Sequence, residues 1–420
     1  MLKKYGFLLL PVMPILFIFL WQIFSVYYLD FGGVYSFELN LTTHPTCATT
    51  GLIFFSFIFL ITYEYIFLKF ALRNKSTTSS FFIHQSNRYV YISYYIIITF
   101  CIILFLALAA YFISTGIPLF SGENRADFNS RIEKVPILNF LYNNMRTLIF
   151  FLGYILCFRL RKQHKYIIFF FVGLFFLVLV LSGNKFSALF DLCVNFLMAP
   201  SIFIIRKKIP VTKLMLYFSL GIIVILSIVF IQSFKYSYIL SDGNSNIFQY
   251  LAERVFILQG GIWWRTFFLV SIEKINWYNH LSTELQSLIS SQHSGYTGLK
   301  FLMEQASEAR NIYELLDYGQ FMFTGGSPAI FLATFGKFFS LAVFFLFSIV
   351  FSLLLRGLMF IIKFKYLIII YIYFCFFYNF LIMINAGEFS VFFTLGDLFR
   401  LLIILFSAIF LYTSSKKSVE

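Results

Sequence analysis

Residues 328–355 read PAIFLATFGKFFSLAVFFLFSIVFSLLL, an apolar run in which Lys337 is the only charged residue. The run is continuous rather than alternating in steps of two, which predicts a helix and not a strand. A helix needs about 20 apolar residues to cross the hydrocarbon core of a bilayer. This run therefore predicts one membrane span.

Similar runs recur along a chain that is 60% hydrophobic, 22% aromatic and 12% charged, with a mean hydropathy of +0.86. This composition excludes an ordinary water-soluble protein. Lipid tolerates only helices or closed barrels, so we expect an all-α polytopic membrane protein with about ten transmembrane helices and one large external loop containing short helices. The expected spans lie near residues 5–28, 47–71, 90–114, 137–159, 166–182, 184–205, 212–233, 328–355, 366–385 and 389–412.

Lysine and arginine lie mainly on one side of these spans. Nineteen of them fall in alternate connections and at the termini, where only Glu420 opposes them. Because cytoplasmic loops retain positive charge, both termini are expected in the cytoplasm. The net charge of +14 is then mainly a topology signal and an attraction to anionic membrane lipids, and it does not indicate nucleic-acid binding.

A polar segment separates the seventh span from the eighth. We expect spans one to seven at residues 1–233, a periplasmic loop at 234–326 and spans eight to ten at 327–420. Within the loop, residues 255–272 are apolar, but an additional span there would move the later basic clusters outside. We expect an interfacial or partly re-entrant helix, with Trp263 and Trp264 at the level of the lipid headgroups. The spacing of apolar residues over 297–316 predicts an amphipathic helix. We interpret it as a lid or a packing helix and not as a binding motif.

Charged residues within the spans are the first candidates for function, since each costs several kcal/mol unless it is paired, hydrated or functional. Arg146 lies in the fourth span, behind Asn139, Asn143 and Asn144. No acid lies three or four residues from it on its own helix. We interpret Arg146 as functional or cavity-lining.

Other charges allow two interpretations. Lys185, at the external mouth of the sixth span, is a candidate ligand or a side chain that snorkels to the surface. Asp397 and Arg400 are three residues apart in the tenth span, so they are either a structural intrahelical pair or part of a site. Lys337 lies in the external half of the eighth span.

The long loop and its return to the membrane carry further candidates. Glu253 and Arg254 are adjacent, and Arg265 follows the tryptophan pair. Ser327 with Pro328 predicts a helix start, which is either an anion site at the helix N-terminus or an ordinary capped span.

These features describe cationic groups in the external half of a helical bundle, capped by a loop with aromatic and carboxylate side chains. Such groups favour an amphiphilic anion reached from the membrane, for example a lipid-linked pyrophosphate. The chain has no D-x-D, H-E-x-x-H, P-loop or G-x-S-x-G motif, and a nucleotide-driven cytoplasmic reaction is unsupported. Its five cysteines lie in or near spans, and they indicate no disulfide framework, metal site or cofactor.

The arrangement of spans and loop resembles the O-antigen polymerases of the Wzy type. Local features of the resemblance are LSGNK at residues 181–185, Arg254 followed by QGG at residues 259–261, and residues 324–330 at the return into the membrane. An Arg-x10-Gly pattern found in some members is absent, because Arg265 stands eleven residues after Arg254.

The resemblance implies a membrane glycosyltransferase of lipopolysaccharide biosynthesis. It would transfer a growing glycan from undecaprenyl pyrophosphate to the non-reducing end of the next lipid-linked repeat unit. Membrane lipids and a chain-length regulator are the other expected partners. The pyrophosphate ligands expected under this resemblance are Arg146, Lys185, Arg254 and Arg265, then Lys337 and Arg400. Glu253 and His280 are candidates to act as base or to orient the acceptor hydroxyl, and both also fit solvated loop residues.

Three alternatives stay open at this point. An O-antigen ligase uses the same donor but joins the glycan to the lipid A core, and only the acceptor distinguishes the two enzymes. A lipid-linked oligosaccharide flippase would be expected to have more spans and no such loop. A structural or regulatory membrane protein would not need Arg146 inside the bilayer.

Overall fold

The computed structural model describes residues 10–32, 46–73, 87–118, 125–158, 160–182, 186–204, 257–289, 296–306, 326–364, 366–387 and 389–417. These residues are almost entirely helical and contain no strand, which confirms the all-α prediction. Within them, five helices are long and apolar enough to cross a membrane. The count of about ten spans stays a prediction, and the expected span at 212–233 lies outside the described residues.

The α-helices of these residues are α1 (Met13–Asp30), α2 (Ala48–Tyr63), α3 (Lys69–Arg73), α4 (Asn87–Thr115), α5 (Arg125–Glu133), α6 (Pro136–Asn143), α7 (Met145–Leu156), α8 (Lys162–Leu181), α9 (Phe186–Ile204), α10 (Leu258–Ser271), α11 (Trp277–Ile289), α12 (Gly298–Ala306), α13 (Ala329–Phe364), α14 (Leu367–Ala386), α15 (Phe389–Phe392) and α16 (Leu395–Lys417). A π-helical turn, Glu64–Leu68, joins α2 to α3, and a 3-10 turn, Leu10–Val12, precedes α1.

The chain forms two compact units. The first comprises Met1–Pro14 and Asn74–Ile247, and the second comprises Ile15–Arg73 and Phe248–Glu420. Helices α4 to α9 belong to the first unit, and α10 to α16 belong to the second. The described part of the expected periplasmic loop is therefore part of the second unit, where α10 packs on α2, α12 and α13.

The expected fourth span, residues 137–159, is not one continuous helix. Asn144 has φ −85° and ψ 3°, and it ends α6 and precedes α7. Asparagine side chains compete with the helical backbone for hydrogen bonds, and the Asn144 amide donates to the Phe140 carbonyl at 2.8 Å. The break places Arg146 in the first turn of α7.

The two tryptophans of α10 are buried inside the second unit. Both are 0% exposed. Trp263 Nε1 donates to the Ala48 carbonyl at 2.8 Å, and Trp264 Nε1 donates to Asp30 Oδ1 at 3.1 Å. Both indoles therefore contact protein, and their expected depth at the level of the lipid headgroups stays a prediction. At 14 residues, α10 is about 21 Å long, which is short of a full span.

Gly260 explains how α10 comes so close to α1. A Cβ atom at this position would lie 2.7 Å from Ser25 Oγ and 2.7 Å from Val26 Cγ2. Ser25 Oγ accepts a hydrogen bond from Gly260 N at 2.9 Å and donates to the Ile257 carbonyl at 3.1 Å. The glycine therefore allows the Ser25 hydroxyl of α1 to bond two backbone groups at the start of α10.

The expected eighth span, residues 328–355, lies almost entirely within α13, which begins one residue after Pro328. Helix α13 is interrupted at Gly336, which has φ 67° and ψ −177°. Glycine adopts this positive φ without steric cost, and a Cβ atom there would lie 3.2 Å from the Trp277 ring. Residues 329–334, before the interruption, are buried.

Gly260→Ala is expected to lower the free energy of unfolding by about 1–3 kcal/mol, because the added methyl group overpacks the contact between α10 and α1. The matched control is Gly173→Ala in α8, where, apart from the adjacent backbone of α8, no heavy atom of the described residues lies within 4 Å of the added methyl group. That change is expected to leave stability unchanged or to raise it. Thermal unfolding of the purified protein in detergent measures both. An unchanged unfolding midpoint for Gly260→Ala would contradict the close approach.

Candidate functional site

Arg146 pairs with an acid from another helix. Its Nε lies 3.1 Å from Asp191 Oδ2 of α9, and the side chains are 51% and 26% exposed. The sequence showed no acid near Arg146 on its own helix, and the structure places Asp191 beside it because α7 and α9 pack closely. At Gly153 of α7, a Cβ atom would overlap with the carbonyl oxygen of Phe196 in α9.

Arg146 opens onto a cleft of 190 Å³, the Arg146 cleft, which lies within the first unit. Helices α5 and α6 form one side of it, and α7, α8 and α9 complete it. Asn143 Nδ2 donates to Asn139 Oδ1 at 2.7 Å and so holds two amides one helical turn apart. Besides Arg146, the polar lining consists of Asn129, Glu133, Asn139, Tyr142, Asn143 and Asp191.

The Arg146 cleft combines one guanidinium, two carboxylates, three amides and a phenol. A guanidinium presents five N–H donors in a fixed fork, which matches carboxylate and phosphate oxygens. Amides, carboxylates and a phenol suit sugar hydroxyls, which both donate and accept. The cleft lies at the C-terminal end of α8 and the N-terminal end of α9. The distribution of basic residues predicts that these two ends face away from the cytoplasm.

Sequence reasoning missed Asn129 and Glu133, which lie between the expected spans 90–114 and 137–159, and it missed Tyr142, an aromatic residue within the fourth span. Asn129 and Glu133 are four residues apart, so they share a face of α5. That spacing is the signal that could have identified them.

Arg400 and Asp397 form the intrahelical pair that their spacing allows, at 2.6 Å between Arg400 Nη1 and Asp397 Oδ1. Asp397 is only 2% exposed. Asn379 Nδ2 of α14 donates to both of its oxygens at 3.1 and 2.9 Å, and Thr394 Oγ1 donates to Oδ2 at 2.8 Å. This carboxylate therefore joins α14 to the start of α16, and a role for Arg400 in pyrophosphate binding stays a prediction.

Lys337 and Arg265 lie in the second unit. Lys337 directly follows the interruption of α13, and its Nζ donates to the Ser271 carbonyl, the last residue of α10, at 3.4 Å. Arg265 in α10 stands over the Phe268 ring at 5.7 Å. Both cations thus have local structural contacts, and their assignment to a pyrophosphate is untested.

His280 is a buried residue of α11. It is 4% exposed, and its ring stacks on Phe301 of α12 with centroids 3.7 Å apart and planes 14° apart. Burial lowers the pKa of His280 to about 4. The imidazole is therefore neutral at pH 7 and a weak base. Its role as a base stays a prediction.

Glu284 lies beneath His280 and was not identified from the sequence. Its Oε1 is 3.4 Å from His280 Nε2 and accepts a hydrogen bond from Gly298 N at 2.6 Å. Glu284 is 3% exposed, so a buried carboxylate joins α11 to the first residue of α12. The separation of four residues between the histidine and the acid was the available signal.

Three expected site residues, Lys185, Glu253 and Arg254, lie outside the described residues. Of the candidates that the structure describes, Arg146 lies in the first unit. The second unit contains Arg265, His280, Lys337 and Arg400.

A double-mutant cycle with Arg146→Ala and Asp191→Ala is expected to give a coupling of at most about 1 kcal/mol in the free energy of unfolding, because the pair is partly exposed. Asp397→Ala is the comparison, since it removes a buried carboxylate. Its loss is expected to reach about 3 kcal/mol. Reversible unfolding in mixed micelles measures these free energies. A coupling well above 1 kcal/mol would make the Arg146 pair a major structural element.

The free energy of unfolding is expected to fall as the pH falls from about 6.5 to about 4. The pKa of His280 drops from 6.5 to about 4 on folding, so the unfolded state binds the proton more readily in this range. His280→Phe retains a ring against Phe301 and removes this contribution, about 1.4 kcal/mol per pH unit within the range. Unfolding midpoints at pH 7.5 and 5.0 test it, with His164→Phe as control. An equal pH dependence in the intact protein and His280→Phe would contradict the low pKa.

Residues 292–401 match the model of a family of unknown function (DUF6418). The matched segment reaches from before α12 into α16, and it includes Lys337, Asp397 and Arg400 but neither Arg146 nor His280. No curated protein and no solved structure matches the chain.

Proposed function

We propose that the protein is a glycosyltransferase that polymerises undecaprenyl-pyrophosphate-linked O-antigen repeat units at the periplasmic face of the bacterial inner membrane. The observation that carries the proposal is the Arg146 cleft, where an arginine and two carboxylates meet three amides among apolar helices. The resemblance of the span-and-loop arrangement to O-antigen polymerases supports it.

The donor is held at Arg146. The guanidinium binds phosphate oxygens through paired N–H groups, and it stabilises the negative charge that develops on the departing pyrophosphate. Asp191 Oδ2, at 3.1 Å from Nε, positions the guanidinium from the neighbouring helix. Lys185 and Arg254 are further proposed ligands of the pyrophosphate.

In the transfer, the hydroxyl oxygen of the acceptor glycan forms a bond to the anomeric carbon of the donor. The bond from that carbon to the pyrophosphate oxygen breaks, and the lipid pyrophosphate leaves with the electron pair. The hydroxyl proton passes to a carboxylate. The proposed candidates for this carboxylate are Glu133 and Glu253. Glu133 lines the Arg146 cleft, and Glu253 lies outside the described residues.

The proposed topology follows the distribution of basic residues. Both termini are cytoplasmic, residues 234–326 form a periplasmic loop, and the Arg146 cleft opens on the periplasmic side. This is the side on which a lipid-linked repeat unit, once moved across the membrane, meets its acceptor. Membrane lipids and a chain-length regulator are the proposed partners.

The lipopolysaccharide ladder of cells that lack the gene tests the proposal. Such cells are expected to show a single band of core plus one repeat unit, and the intact protein is expected to restore the ladder. Arg146→Ala at matched membrane abundance is expected to fail, because the charge on the leaving group is no longer stabilised, and its loss is expected to reach about 100-fold. Arg146→Lys is expected to recover only part of the ladder, because an ammonium lacks the planar fork.

Arg88→Ala is the control, because Arg88 is an exposed arginine at the start of α4 and should support a full ladder. A full ladder from Arg146→Ala would remove Arg146 from the site. Loss of even the single-repeat band in cells without the protein would point to ligation or transport instead of polymerisation.

A further inference from the structure

Helix α11 and the residue before it carry a polar stripe. Asn276, Asn279, His280 and Thr283 follow the spacing i, i+3, i+4, i+7 and line a single cleft. On a helix this spacing marks one face, on which Asn276 and Asn279 are exposed, Thr283 is half-buried and His280 is buried. The Asn276 side chain caps the helix by accepting hydrogen bonds from Tyr278 N at 3.1 Å and Asn279 N at 3.4 Å.

Helix α12 provides the opposite wall in the same way. Phe301, Glu304 and Gln305 follow the spacing i, i+3, i+4 and line the same cleft. Two helices thus face each other with amides, a hydroxyl and a carboxylate across an open space of 280 Å³, which we name the α11–α12 cleft. It lies within the second unit and shares no residue with the Arg146 cleft.

Buried contacts keep the two walls apart at a fixed distance. His280 stacks on Phe301 at 3.7 Å, and Glu284 accepts the hydrogen bond from Gly298 N at the start of α12. His280 and Glu284 are 4% and 3% exposed. The cleft is therefore an opening above a packed floor, to which His280 and Phe301 of its lining also contribute.

The floor also holds a polar atom that the fold does not use. His280 Nε2 has no hydrogen-bond partner among the described residues, and its distance of 3.4 Å to Glu284 Oε1 does not give hydrogen-bond geometry. A buried polar atom without a partner costs about 1–3 kcal/mol. Because Nε2 is inaccessible to solvent and lies beside Glu284, this atom belongs to the packed floor and not to the lining of the cleft.

The charges of the lining select the class of ligand. Lys274 and Glu304 are of opposite sign, and the remaining polar groups are amides, hydroxyls and a neutral imidazole. Such a lining offers donors and acceptors in similar number and no excess of positive charge, so it does not suit a pyrophosphate. Its volume is close to the lower end of ligand pockets, about 300–1,000 Å³, and it includes the rings of Tyr296 and Phe301, which suit the apolar face of a sugar ring.

We propose that the α11–α12 cleft is a binding site for an uncharged sugar residue. Asn279 and Gln305, from opposite walls, hydrogen-bond its hydroxyls, and the rings of Tyr296 and Phe301 contact its apolar face. Sugar binding follows from this geometry alone, whereas its use to hold the acceptor glycan rests on the function proposed above.

Saturation-transfer NMR on the purified full-length protein in lipid nanodiscs tests the site. The probes are the neutral methyl glycosides of glucose, galactose, mannose, N-acetylglucosamine and N-acetylgalactosamine. At least one is expected to show saturation transfer and a saturable titration. Asn279→Ala and Gln305→Ala are each expected to weaken binding about tenfold, the effect of one lost hydrogen bond in a site that the ligand desolvates. Inorganic pyrophosphate is not expected to displace the glycoside.

Gln286→Ala is the matched control, because this amide is exposed on α11 outside the cleft, and it is expected to bind as the intact protein does. Unfolding midpoints of all variants establish that the fold is retained, and Asn279→Asp replaces Asn279→Ala if the latter unfolds. The proposal is overturned by absence of transfer to all five glycosides, by unchanged affinity in both cleft variants, or by displacement with pyrophosphate.

The lipopolysaccharide ladder separates this proposal from the previous one. If glycoside binding behaves as expected and cells that lack the protein still make a full ladder, the sugar site stands and the polymerase assignment fails. If the ladder depends on Arg146 but no glycoside binds, the polymerase assignment stands and the sugar site fails.

Discussion

The second unit depends on the hydrogen bonds that the Asp30 carboxylate accepts. Oδ1 accepts hydrogen bonds from Thr46 N at 3.3 Å, Thr46 Oγ1 at 2.7 Å and Trp264 Nε1 at 3.1 Å, and Oδ2 accepts from Thr49 N at 2.9 Å and Thr49 Oγ1 at 2.5 Å. One side chain thus joins the end of α1 to the N-terminus of α2, where negative charge is favourable, and to α10. Since α10 also packs on α12 and α13, the position of the α11–α12 cleft depends on this contact.

The sequence predicted the helices well because their signal is local. Continuous apolar runs indicate helices without knowledge of any partner, and the Ser327-Pro328 pair correctly predicted the start of α13 to within one residue. The same signal cannot distinguish a face that meets lipid from one that meets protein. Trp263 was therefore expected near headgroups, although its indole donates to Ala48. That hydrogen bond joins positions more than 200 residues apart, and Gly51, one turn along α2 from Ala48, allows the approach, because a Cβ atom there would lie 3.2 Å from the Trp263 ring.

The candidate site shows the same division between local and distant information. Arg146 stood out because a charge in an apolar run needs a reason, and the structure gives it both a polar cleft and a partner. The identity of that partner, Asp191, depends on the packing of α7 on α9, which no spacing along the chain encodes. His280 was expected to fit a solvated loop as well as a site. Its burial under Phe301 comes from the pairing of α11 with α12, which sequence periodicity does not reveal.

The two clefts differ in the chemistry that their linings permit. The Arg146 cleft holds a guanidinium and two carboxylates, and it suits a reaction in which charge develops on a leaving group. The α11–α12 cleft has balanced charge, and Asn279 and Gln305 line it from two different helices. Water alone would accept polar side chains at these positions. The case for a ligand therefore depends on the convergence of both amides and the rings of Tyr296 and Phe301 on one opening, the combination of polar and aromatic groups that a sugar needs.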